Sequence, residues 1–432
     1  MNLLPDRKIN VLIFPAVAEN ALEIYRSLRF NIHLEVFGAS GKPDHAAFIY
    51  PHDHYFEGNY YITSPSFLED FNSLLKTNKI DLVIPTHDTI ALYMAENRHL
   101  IQAKIIVSDR QTAHICREKR LTYALMADCD FCPKIYNRPE IIHDFPIFLK
   151  PNRGEGSKGT FIARSMDEVV EITSSNPDMV ICEYLPGQEL TVDCFTNRKR
   201  ELLFVGPRTR ERIQMGISNH SESVPLTAEI QRIADIINKK LELRGAWFFQ
   251  VKQAADSSYK LLEISARQAG TMALYRQVGV NFALLSIFDA MEMDVSILSN
   301  QFDIQLDRCL NNRYHLNYDY EDIYIDFDDT IIIAGKVNDQ MMQFLYQAVN
   351  SGKRLHLITK HELDITQTLK DYKISANLFD EIISLTPQES KKDYINPRKA
   401  IFIDNHFSER KAVSEILGIP VFDVDAVECL IK

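Results

Sequence analysis

Short apolar runs alternate with helix-like stretches over residues 1–110. INVLIF (9–14), NIHLEVFG (31–38), IDLVIP (80–85) and AKIIVS (103–108) read as strands. ALEIYRSLR (21–29), FLEDFNSLLKTN (67–78) and ALYMAENRHL (91–100) read as helices between them. Strands lacking polar alternation are buried on both faces, so a βαβ-type α/β domain with a parallel sheet is expected. No G-x-G-x-x-G follows the first strand, which argues against dinucleotide binding. From 111 to 305 the pattern is mixed α+β. The stretch 306–320 (LDRCLNNRYHLNYDY) has no clean period and reads as a linker. IYIDFDDTIII (323–333) then opens a further α/β unit, giving domains at 1–110, 111–305 and 321–432.

Composition narrows the class. The 432 residues are 46% hydrophobic and 25% charged, ordinary for a globular protein of several domains. Lys and Arg number 48 against 59 Asp and Glu, a net charge of −11. That balance argues against a nucleic-acid or basic membrane-surface protein. No apolar run approaches the ~20 residues of a membrane span. The start MNLLPDRKINVLIF lacks a positively charged segment before its apolar run, so no signal peptide is expected and the chain reads as cytoplasmic. Seven scattered cysteines do not form a disulfide framework.

Glycine is scarce, at 15 residues, yet Gly154, Gly156 and Gly159 fall within six positions. Chance would place about 0.2 there at this composition. FPIFLKPNRGEGSKGTFIA (145–163) reads as strand, glycine loop, strand, with Lys150 closing the first strand. Bare backbone amides can approach phosphate oxygens while a lysine supplies charge; a flexible hairpin turn is the plain alternative. Downstream, AWFFQVKQ (246–253) and YKLLEISAR (259–267) read as a hairpin turning at Ala254–Ser258. Centring the turn on Asp256–Ser257 sets Gln250 opposite Glu263. Glu263, Ser265 and Arg267 then share that face, with Leu262 and Ile264 toward the core. Oxygen ligands on adjacent strands beside an arginine suit Mg²⁺ bound to nucleotide phosphates. Arg208, Arg210 and Arg212, two apart on an expected strand, would form a clamp for an anionic substrate or a solvated face.

KPNRGEGSKG (150–159), EYLPGQELTVD (183–193) and the final Gln250…Glu263-x-Ser265-x-Arg267 together resemble the ATP-grasp superfamily, near its carbamoyl-phosphate-synthase-like branch, over residues 1–305. The resemblance implies a pre-ATP-grasp α/β domain followed by a two-lobed ATP-grasp domain. It implies that Lys119 and Lys150 contact ATP phosphates, with Gly154, Gly156, Ser157 and Gly159 closing over them. Glu183 and the backbone of Leu185 would meet adenine, and Glu189 the ribose. Gln250 and Glu263 would hold Mg²⁺, with Mn²⁺ an alternative, and Arg267 the transferring phosphoryl group. Arg208 and Arg210 would lie near the acyl-phosphate site. The family usually has Asn where this chain has Ser265, which weakens a second metal contact.

In the last unit three apolar strands end in polar residues: Asp326 and Asp328 after IYI, Thr359 closing LHLIT, and Asp404 in AIFIDN. Carboxylates at the C-terminal ends of parallel strands converge where open α/β sheets bind ligands. The set resembles the haloacid-dehalogenase (HAD) phosphatase superfamily over 321–432, implying a Rossmann-like domain. Asp326 would be the nucleophile, Asp328 the general acid/base and Thr359 a phosphate ligand. Lys391 or Lys392 would neutralise charge; Asp326, Asp328 and Asp404 would form the Mg²⁺ site. Asp326 to Thr359 spans 33 residues and Thr359 to Lys391 spans 32, too few for a large cap domain. The site is therefore expected to be open or covered by the ATP-grasp half.

Three signals are set lower. Cys129 and Cys132 form a lone C-x-x-C, and His52-Asp53-His54 reads as a polar loop. Thr86-His87-Asp88 follows a strand and precedes a helix, as a helix cap or a substrate contact. The combined expectation is an ATP-dependent carboxylate–amine or carboxylate–thiol ligase fused to a Mg²⁺-dependent phosphatase of the same pathway. Its partners would be small-molecule acids and amines, and a homo-oligomer is compatible with it. The alternative is a HAD phosphohydrolase whose ATP-grasp region is a nucleotide-binding regulatory module.

Overall fold

The computed structural model describes residues 7–154, 156, 158–214, 217–309 and 311–432. The chain divides into two compact units, Met1–Leu310 and Asn311–Lys432.

The first unit opens with β1 (Ile9–Phe14), α1 (Glu19–Leu28), β2 (Leu34–Ser40), β3 (Tyr55–Glu57), α2 (Phe67–Thr77), β4 (Leu82–Pro85), α3 (Asp88–Glu96) and β5 (Lys104–Ile105). The strands form a parallel sheet in the order β3-β2-β1-β4-β5. The unbroken apolar run of β1 has a direct cause. Val11 and Ile13 pack toward Ile24 and Leu28 of α1, while Leu12 and Phe14 pack toward Phe67 and Phe71 of α2. A strand covered by helices on both faces has no solvent side. Strand β3 is short and half exposed, so it carries little apolar signal.

After α4 (Arg110–Arg117) and α5 (Lys119–Leu125) two antiparallel sheets follow. β6 (Ile135–Tyr136), β7 (Ile147–Pro151), β8 (Phe161–Ala163) and β9 (Met179–Glu183) form one, in the order β6-β9-β7-β8. It is backed by Val169 of α6 (Met166–Ser175). β10 (Glu189–Thr196), β11 (Leu202–Thr209), β14 (Gly245–Gln253) and β15 (Tyr259–Ser265) form the larger, in the order β11-β10-β14-β15. Ile230, Ile233 and Ile237 of α7 (Ala228–Lys240) lie on its inner face with Trp247, Phe249, Leu261 and Ile264. α8 (Ala273–Gln277) and α9 (Phe282–Ala290) lead back to the first sheet, where Ala283 and Ile287 join the α1 core.

β12 (Glu211–Gln214), β13 (Ile217–Glu222) and β16 (Gln305–Asp307) form a third small sheet. The expected linker is corrected at its start: residues 305–307 pair with β13, and Arg308 N–H donates to Asn219 O at 2.8 Å. Edge pairing by so short a segment leaves no period to read.

The second unit contains β17 (Asp322–Ile325), a hairpin of β18 (Ile332–Ile333) and β19 (Lys336–Val337), α10 (Asp339–Asn350), β20 (Arg354–Thr359), α11 (Ile365–Asp371), β21 (Glu381–Ser384), β22 (Ala400–Ile403), α12 (Phe407–Leu417) and β23 (Val421–Phe422). Its five-stranded sheet is parallel, in the order β21-β20-β17-β22-β23. Ile323 and Ile325 pack toward Phe344 of α10, and Tyr324 toward Val413 of α12. Between Asp326 and Thr359 stand only the hairpin, α10 and β20, which Thr359 ends.

All seven cysteines are free thiols. Among the described residues, no helix is long and apolar enough to cross a membrane.

Candidate active site

The hairpin β14–β15 sets the first site. Gln250 pairs with Glu263, Phe249 with Ile264 and Phe248 with Ser265, the expected register. Beyond Gln250 the register shifts, and Val251 pairs with Leu261. Leu262 is thus an extra residue in a β-bulge. This corrects the expected facing: Leu261 and Ile264 enter the core, while half-buried Leu262 does not. The bulge also releases the Leu262 carbonyl, which accepts Lys150 Nζ at 3.0 Å and Tyr123 Oη at 2.6 Å. Lys150, from the end of β7, is 5% exposed and lies 5.1 Å from the centre of the Tyr123 ring. Burial pushes its ammonium pKa down.

Lys119 Nζ stands 3.9 Å from Glu263 Oε2 and 3.3 Å from Gly154 O. A cavity of about 330 Å³ opens here, lined by Lys119, Gly154, Gly156, Gln250, Glu263 and Arg267 among others. A smaller one of about 120 Å³ shares most of these and adds Lys150 and Glu189. Glu189 pairs with Arg210 at 2.8 Å. Glu183 and Leu185 stand outside the linings of both cavities. Glu183 Oε1 accepts from Lys134 N–H at 2.8 Å, and Leu185 is buried. Ser157 lies outside the described residues.

The three arginines do not share one face. Arg208, 2% exposed, forms a two-bond ion pair with fully buried Asp193, at 2.7 and 3.2 Å. Arg212 has φ +44°, a left-handed backbone that breaks the alternation, and is exposed against Asp307. Arg208 and Arg210 line the larger cavity and Arg212 does not.

Asp88 changes the reading of Arg267 and Ser265. It is the first residue of α3, and His87 before it makes no side-chain cap. Its Oδ2 accepts from Arg267 Nε at 2.9 Å and Nη2 at 2.8 Å; its Oδ1 accepts from Ser265 Oγ at 2.6 Å. Burial alone would push this carboxyl up, but the Arg267 charge and the Ser265 bond hold it below the usual carboxylate range.

In the second unit the strand ends converge as the sheet dictates. Lys391 Nζ lies 2.6 Å from both Asp326 Oδ1 and Asp404 Oδ2, all three side chains being buried. Burial pushes the Asp326 carboxyl up to about 6, against the lowering by Lys391. Lys392 instead pairs with Asp393 at the surface. Thr359 Oγ1 accepts from His361 N–H at 3.1 Å. Half-exposed Asp328 turns its carboxylate to His361 Nδ1, 3.0 Å from each oxygen. Among the described residues, no three His, Cys, Asp or Glu side chains gather as a metal site. The Asp328 carboxylate faces His361, whereas Asp326 and Asp404 both face Lys391.

Residues 175–307 match the family described as "ATP-grasp in the biosynthetic pathway with Ter operon". The first unit has an ATP-grasp fold. Biotin carboxylase from Campylobacter jejuni, solved as a β,γ-ATP complex, is similar at TM-score 0.56 and 16% identity, over 67% of this chain and 73% of that one. The biotin carboxylase domain of Hydrogenobacter thermophilus 2-oxoglutarate carboxylase, solved with MgADP and bicarbonate, gives 0.53 and 14%, over 66% and 70%. L-amino acid ligase from Bacillus licheniformis gives 0.53 and 13%, over 68% and 76%. No curated protein matches the chain.

Within the ATP-grasp unit, sequence reasoning missed Tyr123 and Asp193. Asp193 had a signal, since its motif places an acid on a strand two residues from Thr191, the residue opposite Arg208. Tyr123 had none, because its contact with Leu262 spans 139 residues.

Proposed function

We propose that the first unit is an ATP-dependent carboxylate–amine or carboxylate–thiol ligase. The observation that carries this is one face of the β14–β15 hairpin bearing Gln250 and Glu263, with Lys119 within 3.9 Å of Glu263 and Lys150 anchored behind it on the Leu262 carbonyl. Two oxygen donors on adjacent strands fit Mg²⁺, which keeps several waters and takes few protein ligands in phosphate sites. When bound, Mg²⁺ would neutralise phosphate charge there. Lys150 and Lys119 would hold the triphosphate, and the glycine loop would bring backbone N–H groups against it. An oxygen of the substrate carboxylate attacks the terminal phosphorus, ADP leaves, and an acyl phosphate forms. The amine then attacks the carbonyl carbon, phosphate leaves, and the amine gives up a proton. The family description, the two nucleotide-bound carboxylases and the L-amino acid ligase, all similar in fold, support this reading.

We propose further that the second unit is a Mg²⁺-dependent HAD-like phosphatase of the same pathway. Its support is the buried Asp326–Lys391–Asp404 set at the ends of β17 and β22. Asp326 would attack phosphorus, Asp328 would give its proton to the leaving alcohol, and water would then release phosphate from Asp326. Incubation with ATP, Mg²⁺ and pooled acids and amines, followed by mass spectrometry, tests the ligase. A screen of phosphate esters tests the phosphatase.

A further inference from the structure

Arg267 is held on three sides. Asp88 takes its Nε and Nη2 edge, the Gln268 carbonyl accepts from Nη1 at 3.2 Å, and the Phe248 ring lies 5.5 Å from the guanidinium carbon. The main anchor is not on its own sheet. Asp88 stands 179 residues away in sequence, where β4 of the parallel sheet gives way to α3. Both Asp88 and Arg267 line the larger cavity, together with Lys119 and Glu263. Ser265 ends β15, and Arg267 follows two residues on; both side chains meet the same carboxylate. A guanidinium held along one edge by a carboxylate loses the rotamer freedom that it would otherwise give up on meeting a phosphate.

We propose that Asp88 is a positioning residue. It fixes the Arg267 guanidinium at the cavity wall for the terminal phosphate of the nucleotide, and Ser265 fixes the Asp88 carboxylate in turn. The assignment rests on the nucleotide reading above. It gives the parallel-sheet domain a part in phosphate recognition, through a side chain that touches no phosphate itself.

The test compares Mg²⁺-dependent binding of ADP and of β,γ-imido ATP by calorimetry, for the full chain and its variants. Arg267→Gln should weaken the imido analogue about tenfold or more and ADP less than about threefold. Asp88→Asn, nearly isosteric, should show the same split. The double variant should bind the analogue no more weakly than Arg267→Gln alone, because the two residues act as one device. A merely structural Asp88 would weaken both nucleotides alike, or add its loss to that of Arg267→Gln; either result overturns the proposal. Should Asp88→Asn not fold, Ser265→Ala carries the test: the analogue should weaken about threefold with ADP unchanged, and an unchanged analogue overturns the proposal. Failure of the wild-type chain to bind either nucleotide would overturn the nucleotide reading and this assignment with it. Wild-type binding with no split in Asp88→Asn overturns this assignment alone.

Discussion

At the scale of single residues, buried charge decides what each side chain can do. Arg208 and Asp193 neutralise each other inside β11 and β10, at 2% and 0% side-chain exposure. Such a pair gains little over an apolar pair, because both ions give up water, yet breaking it leaves one charge buried alone. Arg208→Met should therefore destabilise the chain by about 3–5 kcal/mol in denaturant unfolding. The double variant Arg208→Met/Asp193→Leu should recover most of that loss. A double variant as unstable as the single one would show that packing, not charge, dominates. In the second unit Asp326 lies against Lys391 in the same kind of setting, and the proposed phosphatase gives that charge a chemical use. Asp326→Asn should abolish Mg²⁺-dependent phosphate-ester hydrolysis, since an amide is a poor nucleophile and brings no negative charge to a metal. Hydrolysis retained in that variant would remove Asp326 from the chemistry.

At the scale of elements, one extra residue in β15 ties the hairpin to two other elements, β7 and α5. The Leu262 bulge frees a carbonyl that holds both Lys150 and Tyr123. Deleting Leu262 would leave Leu261 and Ile264 on the core face with Glu263 between them, the alternation of an unbroken strand. The deletion variant should still fold, with a cooperative melt, while ATP-dependent ADP formation falls about tenfold or more as Lys150 loses its acceptor. Full activity in a folded deletion variant would refute the role given to that carbonyl. The same bulge marks how far the sequence could be read. Gln250 meets Glu263 only through the bulge, since the turn itself pairs Gln253 with Tyr259 and centres on Asp256, not on Asp256–Ser257 as expected. The hairpin and the Ala254–Ser258 turn follow from apolar alternation and turn residues, which are local signals. The bulge does not, because it depends on how β14 pairs across the turn. The strands of the parallel sheets were legible for a similar reason, as runs such as INVLIF are buried on both faces. Strands of two or three residues at sheet edges, such as β3 and β16, expose half their side chains and leave no pattern. Arg212 left the expected face because a left-handed backbone interrupts the strand, and nothing in an Arg residue announces that.

At the scale of the whole molecule, each of the two compact units carries its own set of converging charged groups. The Lys119–Lys150–Glu263 set was legible because motif order and spacing are sequence properties. The Asp88–Arg267 pairing was not, since only the fold brings two elements 179 residues apart together. Independent sites imply separable losses. Lys150→Ala should leave phosphate-ester hydrolysis intact, and Asp326→Asn should leave ADP formation intact. The central claim is that the first unit joins an acid to a nucleophile at the expense of ATP. The most direct test supplies wild-type protein and Lys150→Ala with ATP, Mg²⁺ and pooled acids and amines, and follows ADP, phosphate and new masses. Wild type should form ADP only when an acid is present, with a product of mass equal to acid plus amine less water. Lys150→Ala should lose both signals by orders of magnitude, since positioning and charge compensation are most of the catalysis in phosphoryl transfer. ADP formation that ignores the acid, or that survives intact in Lys150→Ala, would contradict the account.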